Sequence, residues 1–114
     1  MSDGYQETGL SGTIQDIHRA IISLQEELQA VDYYNQRAEV TQDAQLKALL
    51  EHNRDEEIEH ASMLMEYLRR NMPEFDTELK TYLFKDLPIT EIEAAEGETE
   101  DDVAEGGLGI GTLG

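Results

Sequence analysis

Three observations predict an all-α fold. No glycine stands between Gly12 and Gly97, the only prolines are Pro73 and Pro88, and apolar residues recur at alternating steps of three and four across the glycine-free region. The predicted architecture is an antiparallel two-helix hairpin followed by a short C-terminal helix. With 114 residues the chain is long enough for one small domain with a modest core.

The first helix is expected from about Thr13, as N-cap, to about Ala38. Ile14, Ile17, Ile21, Leu24, Leu28 and Val31 form its seam. The second is expected from a cap near Thr41 to Asn71 or Met72, because Pro73 should stop it. Its seam reads Leu46, Leu50, Asn53, Glu57, His60, Leu64 and Tyr67, apolar at both ends and polar in the middle. A third, shorter helix is expected from Glu74 to Lys85, with Phe75, Leu79, Tyr82 and Leu83 on its apolar face and Pro88 closing it. The N-terminal residues 1–12 are read as disordered and residues 13–90 as the helical domain. Residues 91–106 are read as a flexible acidic linker, since eight acids and no base lie between Glu91 and Glu105. Residues 107–114, "GLGIGTLG", alternate glycine with Leu108, Ile110 and Leu113. That pattern makes a poor helix but a good extended peptide whose spaced aliphatic side chains can enter pockets on a partner.

Charge narrows the partners. Twenty-six acids against 8 bases give a formal charge of −18, which repels nucleic acid and anionic membranes, so neither is expected as a partner. No run of eighteen apolar residues and no signal-like N-terminus are present, and a cytoplasmic location is expected. There is no cysteine, so any metal must be held by oxygen and imidazole.

The polar centre of the second seam carries the functional signal. A loop of a few residues after Ala38 makes the long helices antiparallel neighbours. Glu27 lies 14 residues before Thr41 and Glu57 lies 16 after it, so the two differ by only about 3 Å in height. His60, three residues after Glu57, projects from the same face. One Glu from one helix and Glu-x-x-His from its neighbour is half of the ligand set of a di-iron carboxylate bundle. A second copy related by a two-fold axis would complete it and convert two hairpins into a four-helix bundle. A polar layer that merely fixes register in a helical dimer explains the same residues, and the sequence alone leaves both readings open. His52 and His18 read as ordinary surface or capping side chains.

The stretches "HRAIISLQEELQAVDYYNQRAE", "HNRDEEIEHASMLMEYLRR", "FDTELKTYLF" and "PITEIE" closely resemble the encapsulated ferritins, and the terminal "LGIGTLG" resembles the cargo-loading peptide of encapsulin nanocompartments. The resemblance covers nearly the whole chain from His18. It implies a ferritin-like four-helix bundle formed by dimerisation, with five dimers in an annular decamer. It also implies a ferroxidase that oxidises Fe(II) with dioxygen at a di-iron centre shared between two subunits, and an encapsulin shell that stores the product and is engaged through Leu108, Ile110 and Leu113. By this resemblance the iron ligands fall on Glu27, Glu57 and His60, and a nearby catalytic tyrosine on Tyr34. The family tryptophan before it is Tyr33 here. An acidic pair that draws metal toward the centre falls on Glu26 and on position 29, where this chain has Gln29. Calcium, zinc or manganese could occupy the same ligands. Two other classes fit parts of the sequence: a metal-free structural adaptor carried in a shell, and a di-iron enzyme that consumes peroxide.

Overall fold

The computed structural model describes residues 4–105. Four helices follow in order: α1 (Gly12–Val40), α2 (Ala44–Asn71), α3 (Pro73–Tyr82) and α4 (Ile89–Glu105). There is no strand among the described residues. Contacts divide the chain into two compact units, Met1–Leu68 and Arg69–Gly114.

The first unit is the hairpin. Helix α1 starts where Ser11 Oγ accepts a hydrogen bond from the Ile14 backbone N–H at 3.2 Å. The cap is therefore two residues earlier than Thr13. Upstream, the Leu10 carbonyl accepts from the Gln15 side-chain amide at 2.9 Å, which ties part of the segment expected to be disordered to the first helical turn. The turn between the helices is set by Asp43, whose carboxylate accepts from the N–H groups of Gln45 and Leu46 at 2.9 and 3.1 Å. Asp43, two residues beyond the expected Thr41, is the cap of α2. Lys47 Nζ donates to the Ala38 carbonyl at 2.9 Å and satisfies an orphan acceptor at the end of α1. Further along the hairpin, Arg54 donates to Asn35 Oδ1 at 3.0 Å. These cross-helix pairs descend one helix as they climb the other, which fixes the antiparallel arrangement.

The apolar side chains of the hairpin are incompletely covered. Ile17, Ala20, Ala38, Ala61 and Leu68 are buried. Ile14, Leu28, Leu46, Leu49, Ile58 and Met63 are exposed, Leu28 to 52% and Met63 to 57%. Two helices offer each other one stripe each, and a helix with a wider apolar face keeps part of it in water unless something else packs there.

In the second unit, Pro73 opens α3, where its missing N–H costs nothing. Helix α3 ends at Tyr82, three residues before the expected Lys85. The Lys85 ammonium instead donates to the carbonyls of Lys80 and Thr81 at 3.2 and 2.8 Å, capping the helix from outside. Asp76 accepts from Arg69 and from Lys80, the latter at 3.1 Å. Lys80 and Arg69 hold its carboxyl below the usual aspartate range. The expected flexible linker is helical: α4 begins directly after Pro88, whose carbonyl accepts from the N–H of Glu91 and Ile92. Glutamate and alanine are good helix formers, and Glu91 in the first turn complements the helix dipole, so local propensity outweighs the mutual repulsion of the acids. Ile92 is buried at 5% exposure. The terminal peptide, with Leu108, Ile110 and Leu113, lies outside the described residues.

Candidate metal centre

Glu27 comes from the middle of α1, and Glu57 and His60 from the middle of α2. All three side chains are partly buried, and each offers a donor atom within 4.8 Å of the other two. His60 Nδ1 stands 3.2 Å from Glu57 Oε1 and 3.5 Å from Glu27 Oε1. This is the only such group of acids and imidazoles among the described residues. The three residues singled out by helical arithmetic therefore meet at one level of the hairpin.

Electrostatics shows how unusual the placement is. Glu27 is pushed above the ordinary glutamate range, first by hydrogen bonding with the Glu57 carboxyl, then by burial and by the charge of Glu57. The same hydrogen bond from Glu27 holds Glu57 below the ordinary range, helped by His60 and opposed by burial. The two carboxyls therefore shift in opposite directions, as like charges held close together do. Burial pulls His60 down, but its hydrogen bond to Glu57 and the fields of both carboxylates together raise it above the ordinary histidine range.

Even so, the cluster is not self-satisfied. Glu27 Oε1 is buried and has no hydrogen-bond partner. A carboxylate oxygen withdrawn from water with nothing to accept from is costly. A hard or borderline cation among two carboxylates and an imidazole nitrogen removes that cost, and the donor set suits iron, zinc or manganese.

The other sequence-derived candidates lie outside the cluster. Tyr34, seven residues after Glu27, is half-buried on α1. Glu26 and Gln29 are exposed, and the Gln29 amide nitrogen donates to the Tyr33 hydroxyl at 3.1 Å. Glu26 and Gln29 belong to no metal-holding group among the described residues. His52 is exposed, 3.9 Å from Glu56, in keeping with a surface role. Sequence reasoning missed Arg37, whose guanidinium lies over the rings of both Tyr33 and Tyr34. The spacing Tyr-Tyr-x-x-Arg on one helix is the signal that could have found it.

A two-helix hairpin with carboxylates and an imidazole at one level defines the ferritin-like helical class. The chain belongs to the EncFtn-like family, whose profile matches residues 4–86. It is 50% identical over 115 residues to a protein of Thermotoga maritima named ferritin-like protein, covering 99% of this chain and all of that one. It is 51% identical over 106 residues to the encapsulated ferritin-like protein of Rhodospirillum rubrum, covering 84% of this chain and 76% of the relative. Among solved structures, a Nitrosomonas europaea protein shares 60% identity and superposes with a TM-score of 0.73, over 75% of this chain and 97% of that one. No helix among the described residues is long and apolar enough to cross a membrane.

Proposed function

We propose that the chain is a ferroxidase that oxidises Fe(II) with dioxygen at a di-iron centre assembled from two copies, and that it works as cargo inside an encapsulin shell that stores the iron. The observation that carries this reading is the buried, partnerless Glu27 Oε1 facing His60 and Glu57. One hairpin offers two carboxylates and one imidazole. A pair of hairpins offers twice that set, enough for two metals. The exposed apolar residues Leu28, Leu49, Ile58 and Met63 supply the surface for such pairing. Five such pairs in a ring are what the encapsulated ferritins suggest for the larger assembly.

The roles follow from the donor chemistry. Glu27, Glu57 and His60 take up the substrate Fe(II). Binding competes with protonation at all three residues, because only their unprotonated forms donate lone pairs to a metal. Carboxylate oxygens favour the ferric over the ferrous ion, so the site drives oxidation. Each Fe(II) gives up one electron and dioxygen takes the pair. Tyr34, on the same face of α1 two turns from Glu27, serves as the ring beside the centre. Residues 91–106 serve as the tether of the terminal peptide, and Leu108, Ile110 and Leu113 are its contacts with the shell.

The test is oxidation of Fe(II) in air by the wild-type chain and by Glu27→Ala and Glu57→Ala. Loss of most activity in both variants is expected. Equal iron chemistry in all three would favour a metal-free adaptor, and a rate that responds to peroxide far more than to dioxygen would favour a peroxide-consuming enzyme. Deleting residues 108–114 should leave oxidation intact and empty the co-expressed shell, whereas retained loading would remove the address from the tail.

A further inference from the structure

Arg37 is the exception in the charge pattern of the hairpin. Arg19, Lys47 and Arg54 each approach a carboxylate. In a chain with 26 acids, Arg37 pairs with none among the described residues. Its guanidinium carbon lies 5.6 Å from the centroid of the Tyr33 ring and 5.8 Å from that of Tyr34. Both rings precede it by one helical turn, at i−4 and i−3, so the helix itself aims them at one cation. The separations fall within the range of cation–π attraction, about 6 Å.

A second observation concerns the hydroxyls. Gln29 donates its amide hydrogen to the Tyr33 oxygen at 3.1 Å, so that oxygen acts as an acceptor in the contact. Tyr33 is also 45% exposed, so its phenol stands within reach of solvent-borne oxidants. Oxidation of a tyrosine takes one electron from the ring to an oxidant and the phenolic proton to a base, leaving a neutral phenoxyl radical. The cation opposes the first loss, because its attraction to the π electrons weakens when one is removed.

We infer that Arg37 is a positioning residue that holds Tyr33 and Tyr34 resistant to one-electron oxidation, so that the pair can stand beside an oxidising centre without being consumed. The usefulness of this guard rests on the ferroxidase reading, in which dioxygen and the peroxide it yields are the oxidants. The chemistry of the pair does not rest on it.

The full-length, metal-free protein is exposed to photogenerated tris(bipyridine)ruthenium(III), a one-electron oxidant, and loss of each tyrosine is followed by peptide mass spectrometry. Arg37→Gln removes the charge while keeping a planar amide, and Arg37→Lys keeps the charge. In Arg37→Gln, Tyr33 and Tyr34 should be lost about two- to five-fold faster, with Tyr5, Tyr67 and Tyr82 unchanged. Arg37→Lys should stay near the wild-type rate. Unchanged rates at Tyr33 and Tyr34 in Arg37→Gln overturn the inference, as does a rise shared by all five tyrosines, which would mean that Arg37 only holds the helix. A repeat with Fe(II) and air separates the two readings. Faster loss under ruthenium but none under iron and air keeps the guard and counts against the ferroxidase.

Discussion

The hairpin and the C-terminal unit treat their charges in opposite ways. In residues 69–105 the ionic contacts are conventional: Asp76 sits between Arg69 and Lys80, and Lys85 covers helix-end carbonyls. Acid meets base or a dipole end, and each contact is partly exposed. At the centre of the hairpin the arrangement inverts. Two carboxyls face each other in the seam, one oxygen is buried without a partner, and large apolar side chains remain in water. Each of these choices costs stability in an isolated hairpin. A sequence that breaks packing rules at one level, and obeys them elsewhere, marks the place where function has displaced stability.

The largest expected effect lies at the centre of that inversion. Replacing His60 by Ala should lower metal affinity by at least about a hundredfold, since losing even an outer-shell partner of a metal ligand costs roughly 10–100-fold. Calorimetric titration with Fe(II) under anaerobic conditions measures it. Asp76→Ala in the other unit should leave metal affinity unchanged, and an equal loss there would erase the distinction between the two regions.

Glu27→Gln sharpens the comparison because it should move stability and metal binding in opposite directions. The amide relieves the carboxyl–carboxyl conflict, so the metal-free protein should melt at a slightly higher temperature. The stabilisation gained on adding metal should largely vanish. A lower melting temperature in the metal-free variant would mean that Glu27 contributes to packing as it stands.

Acidity should separate the same two properties in the wild-type chain. His60 is raised in the folded state, so its contribution to metal-free stability is present below the ordinary histidine range, near pH 6.5, and is lost as pH rises through its folded value. Glu57 is lowered, so its contribution is present above about pH 4.5 and is lost as pH falls through its folded value. Metal affinity should run the other way at the alkaline side, rising with pH as His60 and Glu27 release protons. Both groups are partly exposed, so the stability trend should be small and the affinity trend larger. Denaturant melts and metal titrations across the range from pH 5 to 8 check the two signs.

The smallest effect is expected in α4. Nothing lies within 4 Å of a methyl group built on Gly97, so Gly97→Ala should favour the helix by about 1 kcal/mol locally without touching the metal centre. Circular dichroism should show a slight gain in helix and titration an unchanged metal affinity.

These expectations also mark what the sequence could tell. The hairpin and the meeting of Glu27, Glu57 and His60 were legible because helix pitch and a short loop fix both height and face. The caps were displaced to Ser11 and Asp43, since several side chains near each terminus can accept the same N–H groups. Reading residues 91–106 as a linker weighed the repulsion of the acids and neglected the helix propensity of glutamate and alanine after Pro88. Arg37 escaped notice because a cation in an acidic chain is expected to find a carboxylate, and this one lies over two rings. Incomplete burial of the seam was not visible in a pattern of spacings, which records where apolar residues stand but not what covers them.

The central claim is that one hairpin holds half a metal centre and a second copy completes it. Native mass spectrometry during stepwise anaerobic addition of Fe(II) tests it most directly, because it counts chains and metal ions in the same species. The account predicts that tightly held iron appears in species containing paired chains, two ions for every two chains, and that Glu57→Ala abolishes those species. A single chain that binds iron stoichiometrically and oxidises it in air at the full rate would contradict it.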